Sequence, residues 1–465
     1  MESRISGFRI MGMTLGEFWR AYVSTGLGKA SLILFLLLIG VSIYAAVVIP
    51  PNFGTIWNSL ANWQIYPKDA PPSWINLFSP VKYAPEYITA PPVHVSSNMV
   101  TLSFTIRDGY DVPWRDLFIV INPPLRGMPL IAYITVKRPD GKVLGLGPFQ
   151  LSAGPVTEVG TVYQVEGEVI GFYQSNYGYP LTIPSGLSAI PYIFMAVSKG
   201  RLTPLKGVYY FNVTIMPVSG ALPSISSGSR PVEVALEGQV YGLMGTDAMG
   251  HDLWLGLLAG FPISLEIGVV YAIIVTVLAI AIGLSAGYLG GAVDEVLSRL
   301  TDFTILLPAF VILVVLSVLL RLNIWDAMLY LAILSWGGSA RIIRAMAMQI
   351  RSASYVELAR IAGASNMWIL RNHILPQITP YTLYLLVVNV PGAILTLAGL
   401  NFLNLAGVGY PTWGTLLYYA EEYGALESGI WWWVIPPGLL IAFVAVTFII
   451  TALAIEPIVN PRLRR

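Results

Sequence analysis

Between Lys29 and Lys68 the chain carries no charged side chain, and residues 32–49 within that interval are almost wholly apolar. The hydrocarbon core of a bilayer is about 30 Å thick, so about 20 such residues in one helix cross it. Five further apolar runs follow: 262–288, interrupted only by Glu266; 303–320; 327–340, whose helix is expected to run on with Arg341 reaching to the interface; 379–400; and 430–455. Hydrocarbon offers the backbone no hydrogen-bond partner, so each run has to be helical. The expected fold class is an α-helical polytopic membrane protein with six transmembrane helices. Composition agrees, with 55% hydrophobic and 11% charged residues, against about 25% charged in soluble domains. Such a chain is too apolar to be disordered. A net charge of +1 and no basic face exclude nucleic-acid binding. The chain has no Cys, which excludes a disulfide framework, thiolate catalysis and Cys-ligated zinc. His94, His251 and His373 are far apart and lack ligand spacing, so no metal site is expected.

Ahead of the first run, the segment 8–29 mixes Phe8, Leu15, Phe18, Trp19 and Tyr22 with Arg9, Glu17, Arg20 and Lys29. That pattern reads as an amphipathic helix lying in the interface. A cleavable leader is not expected, because the apolar run starts late and residues 47–51 lack a small-residue cleavage site. The organisation expected is a cytoplasmic or interfacial segment 1–29, a first transmembrane helix 30–50, an external β-rich insertion 51–244 and a transmembrane core 245–465. Basic residues at the span ends set the orientation. Arg4, Arg9, Arg20 and Lys29, then Arg341, Arg344, Arg351, Arg360 and Arg371, then Arg462, Arg464 and Arg465 fall on one side if six spans are present. That side is the cytoplasm of a multi-pass plasma-membrane protein, with 51–260 outside. Glu421, Glu422 and Glu427 then mark an external loop, and Trp431, Trp432 and Trp433 an outer aromatic belt.

Composition shifts in the insertion to Pro, Gly, Ser, Tyr and alternating β-branched residues. Strands are expected at 99–106, 117–121, 130–136, 159–170, 192–197 and 208–216, and Arg138-Pro139-Asp140-Gly141 reads as a turn between two of them. Short strands at this spacing suggest an antiparallel sandwich. Asn212-Val213-Thr214 is an N-glycosylation acceptor pattern, meaningful only on an external face. No carboxylate pair in this region points to catalysis.

The stretch 355–366, followed by His373-Ile374-Leu375-Pro376, reads as helix, turn, helix. Glu357, Ala359 and Ala362 favour helix, and Gly363 takes the turn conformation without a Cβ penalty. The spacing of Glu357, Ala359, Gly363 and Leu375-Pro376 resembles the EAA loop of ABC-importer permeases. A second resemblance is more specific. Gly245-Thr246-Asp247-Ala248-Met249-Gly250-His251-Asp252, then Ile263-Ser264-Leu265, then 286–294, is similar to the start of the core of the C-type permease of dipeptide and oligopeptide ABC importers.

The resemblance implies a function. The chain would be one permease subunit beside a homologous second permease, above two cytoplasmic ABC ATPase subunits and below an external substrate-binding protein, all in or on the lipid bilayer. The coupling loop 345–376 would grip an ATPase through Glu357, Ala359, Arg360, Gly363, Ala364, Leu375 and Pro376. The chain has no complete phosphate-binding loop of its own, since Gly28-Lys29 and Gly141-Lys142 lack the upstream Gly and the following Ser or Thr. ATP hydrolysis therefore falls to the partners, and no catalytic residue, cofactor or nucleic-acid partner is expected. An intramembrane carboxylate is expensive, so Glu266 is a pathway candidate. Asn389 beside Pro391-Gly392, and Asn401, Asn404 and Trp413 near the outer end, are pathway or gate candidates. The cargo suggested is di- or oligopeptides. Oligosaccharide cargo and a membrane-anchored external binding protein are the alternatives. A stand-alone secondary transporter would show an inverted repeat and paired intramembrane charges, and neither is found.

Overall fold

The computed structural model describes residues 9–10, 13–96, 98–226, 229–407 and 409–459. The chain divides into two compact units, a helical one formed by Met1–Asn58 with Leu255–Arg465 and a β-rich one formed by Ser59–Trp254. Phe8 and Arg4 of the amphipathic segment, and Arg462, Arg464 and Arg465, lie outside the described residues.

The amphipathic helix expected over 8–29 is shorter: Arg9–Ile10 pairs as extended chain, antiparallel, with Met13–Thr14, and only then does α1 (Leu15–Ser24), a ten-residue amphipathic helix, begin. It buries Tyr22 against Ala454, Ile455 and Ile458, and the Tyr22 hydroxyl lies 2.5 Å from Ser31 Oγ. The apolar α2 (Gly26–Val48) follows. Thr25 caps it, its Oγ accepting the Gly28 N–H at 2.9 Å, which satisfies one donor that the first turn leaves free. Lys29 therefore belongs to α2, not to the amphipathic helix. A short α3 (Phe53–Asn58) closes this part.

The β-rich unit contains β1 (Tyr87–Thr89), β2 (His94–Ser96), β3 (Met99–Asp108), β4 (Leu117–Ile121), β5 (Leu130–Lys137), β6 (Val143–Gln150), β7 (Val156–Glu158), helix α4 (Tyr163–Tyr177), β8 (Met195–Ser198), β9 (Arg201–Pro204), β10 (Gly207–Pro217) and β11 (Val232–Leu236). Five strands pair in the order β2-β3-β10-β5-β6 and four in the order β1-β11-β4-β7, with every adjacent pair antiparallel. Burial alternates along β3 and β10, so Leu102, Phe104, Phe211 and Val213 share one face. They join Ile119 and Val234 of the second sheet in a common core. This is a sandwich, with one face of each sheet dry.

The expected strand at 159–170 is a helix instead. Val165, Val169, Phe172 and Tyr173 are its buried residues, a helical spacing rather than an alternating one. Gly178, at φ +59, ends it in the left-handed conformation that Gly adopts freely. Likewise, the first half of 192–197 lies in a 3-10 turn, Ile190–Phe194, and the second half in β8. The turn at Arg138-Pro139-Asp140-Gly141 joins β5 to β6, and the Gly141 N–H donates to the Arg138 carbonyl at 3.1 Å. Arg138 is fully buried. It donates to the carbonyls of Ile193 at 2.9 Å and Met195 at 2.5 Å and to the Tyr177 hydroxyl at 3.1 Å.

The helical unit resumes with α5 (Leu253–Leu289), a single 37-residue helix that starts before the apolar run read from the sequence. The elements after it are α6 (Gly291–Leu306), α7 (Ala309–Leu320), α8 (Ile324–Ser335), α9 (Gly337–Arg351), α10 (Ser354–Ile361), α11 (Asn366–Ile369), a π turn over Leu370–Ile374, α12 (Leu375–Phe402), α13 (Trp413–Glu422) and α14 (Trp431–Val459). Among the described residues four helices are long and apolar enough to cross a bilayer, or five if the bent pair α6–α7 counts as one. The six transmembrane helices expected are not all found as single long apolar helices, for two local reasons. The run at 303–320 is broken by a 74° bend at Leu307-Pro308, where Pro308 supplies no N–H to continue the ladder. The run at 327–340 is split at Trp336 into the apolar α8 and the Arg-bearing α9. α8 has 12 residues, about 18 Å at 1.5 Å per residue. Nor do all three Trp residues of 431–433 face outward, since Trp433 is fully buried.

Candidate functional site: the helix–turn–helix at 354–376

The segment folds as a helix, a tight turn and a second helix. α10 is held to the unit by one buried residue, Val356. Val356 packs with Tyr288, Ala347, Ile369 and Ile374. Gly363 makes the turn at φ +85, a conformation that any Cβ strains. The Gly363 N–H donates to Arg360 and the Ala364 N–H to Ala359, both at 3.0 Å. Ser365 then caps α11, its Oγ accepting the Trp368 N–H at 3.3 Å. Leu375 and Pro376 open α12, directly after the π turn. Pro at a first helical turn loses no hydrogen bond, and π turns concentrate at functional positions.

Two recesses flank this element. One, of about 470 Å³, is lined by Gly287, Met348, Arg351, Ser352, Glu357 and Arg360. The other, of about 540 Å³, is lined by Ala359, Ala362, Gly363, Ala364, Ser365 and Trp368. The geometry thus puts five of the seven residues singled out for ATPase coupling on the recesses, Glu357 and Arg360 on the first and Ala359, Gly363 and Ala364 on the second, with Leu375 and Pro376 at the entry to α12. Sequence reasoning did not single out the apolar residues on the same element. Leu358 is 66%, Ile361 78% and Met367 72% exposed, and Trp368 is exposed beside them. The signal was present at 358 and 361, two apolar residues about one helical turn apart. Apolar side chains left in the open on an ordered element mark an interaction surface.

The anchor is as specific as the surface. Gly283 and Gly287 of α5 lie against α9, and a Cβ on Gly287 would come within 2.5 Å of the Arg344 carbonyl and 2.7 Å of Ala347 Cβ. Glycines four residues apart let two helices meet this closely. Next to this contact the Tyr288 hydroxyl donates to Asn366 Oδ1 at 3.0 Å, so α5 reaches the base of α11. Arg344 forks onto Asp294, Nε to Oδ1 at 2.5 Å and Nη2 to Oδ2 at 2.7 Å, fixing α9 to α6. Arg341, expected to reach for the interface, pairs with Asp302.

The residues considered for a pathway do not converge. Glu266 is exposed on α5. Asn389 is half-buried on α12, and its Nδ2 has no partner among the described residues. Asn401 Nδ2 donates to Thr412 Oγ1 at 3.1 Å, while its buried Oδ1 is unpartnered. Trp413 is buried and donates from Nε1 to the Leu257 carbonyl at 2.9 Å, which fastens α13 to α5. Asn401 and Trp413 share a cavity of about 20 Å³ with Ser264 and Ile394, space for one water and not for a solute. Asn404 is exposed and left-handed at φ +56, a conformation Asn tolerates. Asn212 lies in the β-rich unit, exposed on the central strand β10, with Ser103 Oγ at 3.2 Å from its Oδ1.

The motif 245–252 builds a turn in the β-rich unit. The Asp247 carboxylate accepts the N–H groups of Met249 and His251, both at 2.9 Å, and lies 2.7 Å from His251 Nδ1. Thr246 Oγ1 accepts the Ala70 N–H at 2.9 Å. His251 lies edge-on to Trp63, with ring centroids 5.2 Å apart.

Residues 279–465 match the family model described as binding-protein-dependent transport system inner membrane component. Among curated proteins, the chain is 30% identical over 223 residues to the dipeptide transport system permease protein DppC of Bacillus subtilis (strain 168). That match covers 48% of this chain and 69% of the relative. It is 32% identical over 226 residues to a putative peptide transport system permease protein of Brucella suis biovar 1, covering 48% of this chain and 74% of the relative. A second Brucella suis protein, a putative peptide permease, is 33% identical over 208 residues, covering 44% and 68%.

Proposed function

The chain belongs to the family of inner-membrane components of binding-protein-dependent transport systems, and from that premise we propose that it is a permease subunit of an ATP-driven importer of short peptides. The observation that carries the coupling role is the exposed apolar surface of α10–α11, with Leu358, Ile361 and Met367 in the open on an element anchored by Val356. This surface docks a cytoplasmic ABC ATPase. Glu357 and Arg360 supply charges at its rim and Gly363 shapes the turn that enters the partner. A second permease subunit completes the path, two ATPases sit beneath, and an external binding protein delivers the cargo. The relatives named for dipeptide and peptide transport support peptides as that cargo.

The membrane arrangement proposed has six crossings. α2, α5, α12 and α14 are four, and the bent pair α6–α7 and the joined pair α8–α9 supply two more. An even number puts both termini on the cytoplasmic side with α10–α11, and the β-rich unit outside. The basic residues Arg341, Arg344, Arg351, Arg360 and Arg371 around α9–α12 support this orientation. α1 lies in the cytoplasmic interface. The small cavity at Asn401 and Trp413 is a closed position of the outer gate, and Glu266 and Asn389 face the second permease or the path.

Movement transmits from α10 through the glycine contact between α9 and α5. When the ATPases close, α10 moves, and the packed pair α5–α9 moves with it as one lever. ATP and the loaded binding protein shift the inward–outward equilibrium only by their differential affinity for the two states. The test is uptake by the assembled complex carrying Glu357→Lys or Gly363→Pro. Each is expected to lower ATP-driven peptide uptake by about thirtyfold or more, the equivalent of about 2 kcal/mol lost at a docked charge or a strained turn, while insertion into the membrane is unchanged. Normal uptake with the ATPases still co-purifying would refute the docking role.

A further inference from the structure

The β-rich unit contains a cleft of about 660 Å³ that no part of the transport reading uses. Its size falls within the range of small-molecule sites, roughly 300–1,000 Å³. Phe118 and Met249 give it apolar wall, Tyr66 adds an aromatic ring with a hydroxyl, and Glu158, Glu237 and Lys68 bring charge of both signs. β4 and β7 set the carboxylate side: Phe118 pairs with Glu158 across the ladder, and Glu237 follows directly on β11, its N–H donating to the Asp116 carbonyl at 2.9 Å. The opposite wall is Ala248-Met249, held rigid by the Asp247–His251 turn.

Two features separate this cleft from an ordinary surface hollow. Among the described residues, neither carboxylate nor the Lys68 ammonium takes part in an ion pair. Glu237 is also half-buried, between the Lys68 backbone and Arg115, whose own Nη1 is committed to the Lys68 carbonyl at 2.6 Å. The Lys68 N–H and the nearby charges of Arg115 and Lys68 favour the charged form of Glu237, and with no direct ion pair this partly desolvated carboxylate still has room for a cation. A single lysine beside two carboxylates leaves room for one further ammonium and one carboxylate in the same space.

We propose that this cleft binds a short peptide with free ends, its ammonium on Glu158 and Glu237, its carboxylate on Lys68, and its side chains against Phe118 and Met249. The demand for an ammonium and a carboxylate comes from the cleft itself. That the ligand is a peptide rests on the transport reading. The β-rich unit then holds cargo on the permease itself, in addition to any delivered by a separate binding protein.

The experiment is isothermal titration of the full chain, in lipid nanodiscs and without ATPases, with tri-alanine, N-acetyl-tri-alanine and tri-alanine amide. Tri-alanine binds to the wild-type chain. Blocking either end weakens it about tenfold, the effect of one charge-assisted contact. In Glu158→Gln the N-acetyl penalty shrinks to the share that Glu237 keeps, and in Lys68→Met the amide penalty disappears. Both positions are exposed, so neither substitution threatens folding, and β10 hydrogen exchange verifies that the unit is intact. Absence of binding by tri-alanine, or equal affinity for free and blocked peptides, overturns the proposal. Because the titration needs no ATPase, uptake that fails in the assembled complex leaves the cleft's peptide binding intact, and the reverse also holds.

Discussion

In the β-rich unit the exposed positions of β3, β10 and β5 carry Ser103, Thr105, Tyr210, Asn212, Tyr133 and Lys137, whereas the exposed positions of α2, α7 and α14 carry Ile33, Leu36, Val318, Leu319 and Leu439. The strands of the first unit turn one apolar face into a core shared by two sheets, although the connecting segments at 77–78 and 187 leave apolar side chains in the open. The second turns many of its own outward. In water such a surface would drive association, and hydrocarbon is the solvent in which it is stable. α10–α11 break that division of labour. They expose Leu358, Ile361 and Met367 on a segment that also carries Arg351, Arg360 and Arg371, the surface that the proposed docking of a protein partner would cover.

The contrast is sharpest where polar groups are buried. Arg138 serves three carbonyl or hydroxyl acceptors from inside the sandwich. Arg138→Met removes the donor to the Ile193 carbonyl and the buried charge beside Asp140, although the Met195 carbonyl keeps the Tyr173 hydroxyl at 2.7 Å. It is expected to destabilise the β-rich unit by about 3–5 kcal/mol. Loss of hydrogen-exchange protection in β10 with α12 and α14 still protected would show that the two units open separately. Equal loss in both would break the comparison.

pH provides the next test. Burial pushes the Asp116 carboxyl up to about 7, against the backbone N–H groups of Leu117 and Gly160 that favour its charged form. Burial pushes Glu86 up to about 8, with the charges of Asp252 and Glu237 adding to it. Each carboxyl therefore keeps a proton in the folded unit that the unfolded chain releases above pH of about 4. The folded state binds more protons in that window, so stability falls as pH rises from about 4 to 8 and is level outside it. For Asp116 the fall is on the order of a few kcal/mol. Asp116→Asn should flatten its part, between about 4 and 7, as read from hydrogen exchange of β4 and β10. A rise in protection over that window would contradict the assignment.

Effects in the helical unit are smaller in stability and larger in coupling. Gly287→Val adds atoms where α5 meets the backbone of α9. Overpacking of this kind costs about 1–3 kcal/mol, and uptake should fall with ATPase binding retained. If uptake stays normal, α5 and α9 are not the lever. The smallest effect is expected for Asp302→Asn, which removes the exposed pair with Arg341. Exposed pairs contribute about 0–1 kcal/mol, so its thermal midpoint and uptake should match the parent.

Much of this was legible in the chain. Unbroken apolar runs at 32–49 and 430–455 specify helices, because a bilayer or a core is the only place for them. Alternation at 99–106 and 208–216 specifies strands. The spacing from Glu357 to Pro376 specifies a helix, a Gly turn and a second helix. The misreadings have a common origin. At 159–170 Val and Ile suggested a strand by propensity, but the apolar residues recur at 165, 169 and 172, and period outweighs propensity. At 303–320 the apolar count ran straight through Pro308, because hydropathy is blind to a missing N–H.

What the sequence alone determined is which segments leave water, since hydrophobic transfer depends on composition and length. It does not determine which surface receives them. Arg138 finds its acceptors at 193 and 195, Gly287 finds Arg344 of α9, and Lys68 meets Glu158 and Glu237 across a cleft. Each pairing joins residues distant in the chain, and only packing, which is set by shape and hydrogen-bond satisfaction across elements, decides it.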